Sequence, residues 1–400
     1  MSCLVSLRNV RLCIDGQLHP QAQLDIDTGT GKIVESGDCR NHNTIDLDNA
    51  IVAPGFLELQ TNGLRGFHFT HFTDAETYTE NLKRVAEYLP RTGVTGFYPT
   101  VPTVASQEFK KVLPCLAPHH LPNAAAILGA HAEGPYLQPL KNGAHNASLF
   151  QSPTVPAEDI YGQEGLAATK VVTLAPENEG SLDLVKTLTQ QGIMVSLGHS
   201  NATYNEGLAA VEAGAKCLTH TLNAMAPLHH RDPGLAGLVA IPSSNSPYFS
   251  IIADGNHLHP SVAAMLFKSN PRKCILITDS IELAGLPDGT YPGHAQISFN
   301  QTKIGSRVVI EGTETLIGGC ASLSECVQNL IKWTECGIAE GVRCVTENVA
   351  NLMAVQDRGI LEPGRRADFV VLDDEANVLQ TWVGGTKVWD SQHSGNNDIH

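Results

Sequence analysis

The apolar and polar positions change texture twice along the chain. Residues 1–52 alternate apolar and polar positions in short stretches, broken by turn signals at Asp15-Gly16, Thr28-Gly29-Thr30-Gly31 and Ser36-Gly37-Asp38. Period-two alternation with Gly-rich punctuation predicts antiparallel strands. From Ala53-Pro54-Gly55 onward, short apolar runs alternate with amphipathic stretches. Eight of these runs read as buried strands: Phe56–Gln60, Gly96–Thr100, Ala126–Ala130, Lys170–Ala175, Ile193–Gly198, Lys216–Thr219, Tyr248–Ala253 and Lys273–Thr278. Helical stretches between them include Asp74–Thr92, Gly180–Gln191, Tyr204–Ala213 and Ser261–Ser269. Eight βα units predict a closed (β/α)8 TIM barrel. Residues 288–315 return to strand texture, with turns at Asp288-Gly289 and Glu311-Gly312, and helices are expected at 322–336, 338–344 and 346–354. The tail Gly364–Leu372 reads as one more strand, paired with the N-terminal β-segment. The expected organisation is therefore a barrel over residues 54–359 and a small β-sandwich domain built from 1–53 and 360–400.

Four of the barrel strands run directly into chemistry. The run ending at Ala130 continues as His131-Ala132-Glu133-Gly134-Pro135-Tyr136, two others lead into His199-Ser200 and His220-Thr221, and the last leads into Asp279. Side chains at the carboxyl ends of barrel strands face the mouth where such enzymes work. His199 and His220 lie 21 residues apart, one strand–helix–strand unit, so they come from adjacent strands. Both imidazoles then reach a common zinc-type ion at about 2.0–2.1 Å, with Glu133 as third ligand. Gly134-Pro135 predicts a tight turn that aims the Glu133 carboxylate into the mouth. Asp279 reads either as the N-cap of a following helix, since Thr278-Asp279-Ser280 is a good capping sequence, or as a general base beside the ion. Together the four predict a metal-dependent hydrolase.

Composition narrows the setting. With 42% hydrophobic residues in 400 the chain supports a large core, and no run of eighteen apolar residues suggests a membrane span. Met1–Val5 lack a basic region followed by a long apolar stretch, so no secretory signal is expected. The ten cysteines form no CxxC pair, and Cys217 and Cys274 sit in strand contexts; a cytoplasmic protein with reduced thiols is expected. A formal charge of −15 argues against nucleic acid or an anionic membrane as partner. A small anionic substrate needs a local cluster of positive charge.

The motifs, taken in order, resemble the N-acetylglucosamine-6-phosphate deacetylase family of the amidohydrolase superfamily. They are Pro54-Gly55-Phe56, His131–Tyr136, Lys141–His145, Gly198–Thr203, Thr219–Met225, Arg231–Gly237, Ala253–His257, Thr278-Asp279-Ser280, Leu286–Tyr291 and the tail from Leu361 to Leu372. The resemblance spans nearly the whole chain. It implies one divalent ion per subunit, zinc, held by Glu133, His199 and His220, with Asp279 passing a proton from water to the departing amine. It further implies that Ala144, His145 and His257 lie near the acetamido and sugar groups, and that Asn223, Ala224 and Arg231 hold the sugar phosphate. Leu316, Ile317 and Gly318 fall where a loop closes over the substrate. The arginine crosses a subunit interface in that family, which implies a homodimer.

The chain also departs from the pattern. Glu58 and Gln60 stand where many amidohydrolases carry His-x-His for a second metal, so a single-ion site is expected. His68 and His71 follow in the loop 64–69 and just after it, past the strand end and without a carboxylate in the pattern; they are read as loop histidines. The stretch Ile317–Ala321 is altered as well. Both changes border the expected sugar pocket, which leaves two other readings open: an amidohydrolase of another N-acyl sugar phosphate or amide, and a non-catalytic sugar-phosphate-binding relative.

Overall fold

Eight parallel strands, numbered here β1 to β8, form the centre of the computed structural model, which describes residues 4–35, 43–242, 246–294 and 297–393. They are β1 Phe56–Thr61, β2 Val94–Pro102, β3 Ala130–Glu133, β4 Thr169–Leu174, β5 Met194–Leu197, β6 Cys217–Leu218, β7 Tyr248–Ile252 and β8 Cys274–Ile277. Every neighbouring pair from β1 to β8 is parallel in sequence order. Their runs are apolar throughout because both faces are buried, one inside the barrel and one under helices. The seam between β8 and β1 is closed beyond the strand ends, where the Asp279 N–H donates to the Gln60 carbonyl (2.9 Å) and the Asn62 N–H to the Ser280 carbonyl (2.7 Å). The TIM barrel expected from the alternation is present.

The third strand differs from its expected extent. Ala126–Ile127 pairs with Gly96 and Phe97, the chain breaks at Leu128-Gly129, and pairing resumes from Ala130 to Glu133. Gly129 takes φ +117°, and a Cβ there would collide with the Lys170 side chain, so only glycine allows this break. The break carries the strand three residues beyond Ala130 and sets Glu133 at its end. Helix ends follow their caps: Asp74 accepts from the Thr77 N–H ahead of Ala75–Tyr88, and capping boxes at Thr203/Glu206 and Ser322/Glu325 start Tyr204–Ala213 and Leu323–Thr334.

Both chain ends share a separate eight-stranded sheet. Phe369–Leu372 lies antiparallel to Ile51–Pro54, which joins the tail to the N-terminal strands as expected, and Phe369 stacks on Trp382 in its core. A third sheet of four antiparallel strands spans 289–319. Its last strand, Leu316–Gly319, was expected to be a loop; it docks on the segment after Asp279 through an Ile281 N–H to Gly319 carbonyl bond (3.1 Å). The turn predicted at Ser36-Gly37-Asp38 and the end of the polar tail, residues 394–400, lie outside the described residues. Among the described residues no helix is long and apolar enough to cross a membrane, and all eight described cysteines are free, six of them buried.

Arg358, 1% exposed, ties the barrel to the terminal sheet. Its guanidinium faces Asp357 at 2.9 Å and the fully buried Asp368 at 3.5 Å, and Asp368 in turn accepts the Gly384 N–H at 2.7 Å. Arg366 Nε also faces Asp368, at 3.1 Å, so loss of the Arg358 guanidinium removes part of the compensation of this buried charge. Arg358→Met is expected to lower the unfolding free energy by about 3 kcal/mol in urea titrations; an unchanged midpoint would contradict this account of the junction.

Candidate active site

Three of the site residues are placed by one repeated device. His199, His220 and Asp279 each stand two residues past the end of a strand, after β5, β6 and β8. All three adopt left-handed backbone, with φ of 49°, 30° and 46°. Non-glycine residues rarely take that conformation, and each such position costs of order 1–3 kcal/mol. The reversal turns each side chain inward over the barrel axis. Glu133 reaches the same point from within β3, paired to Pro102 and Thr173 on either side. The turn after it needs Gly134, φ +86°, because a Cβ there would strike Thr103 Oγ1. No helix follows Asp279, so the N-cap reading of that residue does not hold; residues 282–285 form turns.

The donor atoms converge. Glu133 Oε1 lies 2.9 Å from His220 Nε2 and 3.3 Å from His199 Nε2, and the two imidazole nitrogens are 3.1 Å apart. Ligands bound at about 2.0–2.1 Å stand about 2.9 Å apart at right angles and about 3.4 Å apart in a tetrahedron, so these spacings fit one ion. His145 also closes on the group, its Nε2 3.6 Å from Glu133 Oε2, and the donor atoms of Glu133, His145 and His199 all lie within 4.8 Å of one another.

Tautomers separate one ligand-type histidine, His199, from the donor His145. His199 Nδ1 faces the Lys141 carbonyl at 2.9 Å, so it carries the proton and leaves the Nε2 lone pair for a metal. His145 Nδ1 instead accepts the Thr103 N–H at 3.2 Å, which puts the proton on Nε2 and makes His145 a hydrogen-bond donor into the site. His131, first of the motif, is tied to Thr173 Oγ1 at 2.8 Å and Thr100 Oγ1 at 3.3 Å inside the barrel.

The electrostatics call for a cation. Glu133 is 3% exposed; burial would raise its carboxyl, but the His145, His199 and His220 imidazoles packed around it hold it well below the usual carboxylate range. Burial pushes His199 down to about 4, a neutral, ligating form, whereas the Glu133 carboxylate overrides burial at His220 and holds it up at about 8. A buried carboxylate facing two imidazole nitrogens matches the donor chemistry of a divalent ion. Asp279 is raised, by burial first and then by the Glu133 charge.

Two residues beside Asp279 acquire roles that the sequence did not suggest. Asn62 Nδ2 donates to Asp279 Oδ1 at 2.7 Å, and Gln60 Nε2 donates both to Glu133 Oε1 (2.9 Å) and to Asp279 Oδ1 (3.2 Å). Gln60 therefore bridges the two carboxylates from the place where a second metal's histidine would stand. Glu58 lies deeper, pushed up to about 8 by burial, and accepts the Gln60 and Thr278 N–H groups. The only signal in the sequence was the missing His-x-His.

The expected substrate positions fall into two groups. Gly143, next to the exposed Ala144, packs beside His199, where a Cβ would sit 3.2 Å from the His199 ring and 3.9 Å from the Ala224 methyl. Asn223 Nδ2 donates to the His220 carbonyl at 3.2 Å, and the Ala224 carbonyl accepts the Ser200 N–H at 3.0 Å. On the other side His257 Nδ1 pairs with Asp254 Oδ2 at 2.7 Å. Burial would raise Asp254, yet the hydrogen bond from His257 holds it below its usual value. A Cβ on Gly319 would lie 3.2 Å from the His257 ring, so the strand carrying Leu316, Ile317 and Gly318 flanks this pair. Arg231 stands apart: it is exposed, and among the described residues its side chain makes no hydrogen bond or ion pair.

No family model matches the chain. It is similar to N-acetylglucosamine-6-phosphate deacetylase of Caenorhabditis elegans, 38% identical over 360 residues, covering 87% of this chain and 85% of that protein. It is 32% identical over 343 residues to N-acetylgalactosamine-6-phosphate deacetylase of Escherichia coli O157:H7, covering 85% and 88%. Among solved structures, an aspartate-to-alanine variant of N-acetyl-D-glucosamine-6-phosphate deacetylase from Mycobacterium smegmatis, in complex with N-acetyl-D-glucosamine-6-phosphate, superposes with a TM-score of 0.82 at 25% identity, covering 97% of this chain and 99% of that one.

The donor geometry predicts different outcomes for His220, whose Nε2 faces Glu133, and for His145, whose Nε2 carries a proton. His220→Ala is expected to lose one bound divalent ion per subunit relative to wild type, measured by elemental analysis after dialysis, whereas His145→Ala keeps it. The reverse pattern would make His145 the ligand.

Proposed function

The chain belongs to the N-acetylglucosamine-6-phosphate deacetylase family, and on that premise we propose that it hydrolyses the acetamide of N-acetylglucosamine-6-phosphate to glucosamine-6-phosphate and acetate. The observation that carries the reading is the meeting of Glu133, His199 and His220 at one point, with Asp279 anchored beside them. Those three residues would hold the divalent ion, which supplies activation of water near neutral pH and polarisation of the acetamide carbonyl.

Asp279 accepts the proton of the attacking water and returns it to the amine as the C–N bond breaks. Asn62 and Gln60 fix its Oδ1, which leaves Oδ2 for that transfer. Its raised affinity for a proton suits the second half of the task, where it must act as an acid. His145, with its Nε2–H directed into the site, donates to the developing oxyanion; a preorganised donor of this kind contributes about 2.7–4 kcal/mol. His257, oriented by Asp254, and the strand at Leu316, Ile317 and Gly318 border the sugar, with Ala144 on the opposite side.

Asn223 and Ala224 lie where the phosphate would be held. The guanidinium of Arg231 makes a bidentate phosphate contact when it is contributed across a homodimer interface. Its exposure in the single chain supports that arrangement. Zinc as the native ion, one at this site because Gln60 occupies the second position, and a cytoplasmic location with reduced thiols complete the reading. A second reading, the galactosamine epimer as substrate, is favoured by the E. coli relative.

Asp279→Asn is expected to keep wild-type metal content while kcat falls by about 10²–10⁴-fold. Near-normal turnover in that variant would refute the assigned role.

A further inference from the structure

Outside this site, one cluster of metal-ligating side chains has no part in the reaction. His68 and His71, on the loop after β1, meet His294 and Glu282 on the far side of the seam. The His71 and His294 rings stand 4.8 Å apart at 72°, and His68 lies 5.3 Å and 5.4 Å from them. The His199 and His220 rings of the active site are also 4.8 Å apart, at 82°, but the ligand atoms of Glu133, His145 and His199 all lie within 4.8 Å of one another, whereas those of this cluster stand further apart and must close up to hold an ion. Two imidazoles on one tetrahedral ion place their centroids about 5.2 Å apart, given metal–nitrogen bonds of about 2.0–2.1 Å. Glu282, 5% exposed, brings Oε1 to 3.4 Å from His294 Nε2.

The cluster is also chemically incomplete. Glu282 Oε2 and His71 Nε2 are buried without a hydrogen-bond partner. Among the described residues no lysine or arginine forms an ion pair with Glu282. A buried carboxylate with one oxygen unpartnered and no lysine or arginine beside it can accept a divalent ion.

We propose that His71, His294 and Glu282, walled by His68, form a second divalent-metal site of the zinc, cobalt or nickel class, separate from the catalytic centre. Imidazole with one carboxylate selects such borderline ions over calcium or magnesium. His71 is half-buried and turns to meet the ion, which draws the cluster together. The site ties the loop after β1 to the four-stranded sheet, to which His294 belongs by position. That sheet carries Leu316–Gly319 over the substrate side, and the Glu282 carbonyl already accepts the Gly66 N–H at 2.7 Å across the same seam. The ion is a clamp for the loops around the active site, not a participant in hydrolysis.

Elemental analysis of the full-length protein, stripped by chelation and reloaded separately with zinc and with cobalt, tests this. Two ions per subunit are expected in wild type, one in His71→Ala, one in the isosteric Glu282→Gln and one in His220→Ala. The His71 and Glu282 variants should also lose the metal-induced rise in thermal midpoint that the second ion gives wild type. One ion in wild type, or wild-type content in both His71→Ala and Glu282→Gln, overturns the proposal. If His220→Ala alone keeps two ions, the assignment of the catalytic ligands fails while this site stands.

Discussion

A carboxylate buried as deeply as Glu133 must be compensated, and the architecture around it supplies the compensation from several distant parts of the chain. Its strand ends at the barrel mouth only because Gly129 breaks β3 and lets it run on. His199 and His220 arrive from β5 and β6 through left-handed turns that cost energy wherever they occur. That expense is sustained by the rigid parallel sheet beneath, whose ladders fix where each turn begins. Burial, charge and backbone strain thus converge on one cation-sized point.

The same carboxylate acts on Asp279. Its charge, with burial, raises Asp279 while Gln60 holds the two carboxylates in register. A neutral amide donor bridging two carboxylates offsets their repulsion without adding a second ion. The bridge from Gln60 at the end of β1 is therefore part of what sets the environment of Asp279. Asn62 adds the shortest side-chain bond to Asp279 and fixes its Oδ1.

Much of this was legible in the chain, for identifiable reasons. Apolar runs of strand length ending in Glu, His and Asp are local signals, and the barrel with its four mouth residues follows from them. The break at Leu128-Gly129 was not legible, because a glycine inside an apolar run does not announce a positive φ. Leu316–Gly319 resembled a loop because its partner strand, Arg307–Ile310, is what makes it a strand. Gln60 was visible only as a missing histidine, since its partners lie 73 and 219 residues away. The same distance hid the carboxylate beside His68 and His71: Glu282 comes from the opposite side of the barrel seam. Asp279 carried two local readings, and the turns at 282–285 in place of a helix remove the capping one.

Acetate release from N-acetylglucosamine-6-phosphate by the purified protein, before chelation, after it, and after zinc is restored, tests the central claim most directly. The account predicts release that disappears on chelation and returns with zinc, with little release from the unphosphorylated sugar. Release that survives complete removal of metal, or none from fully loaded protein, would contradict it.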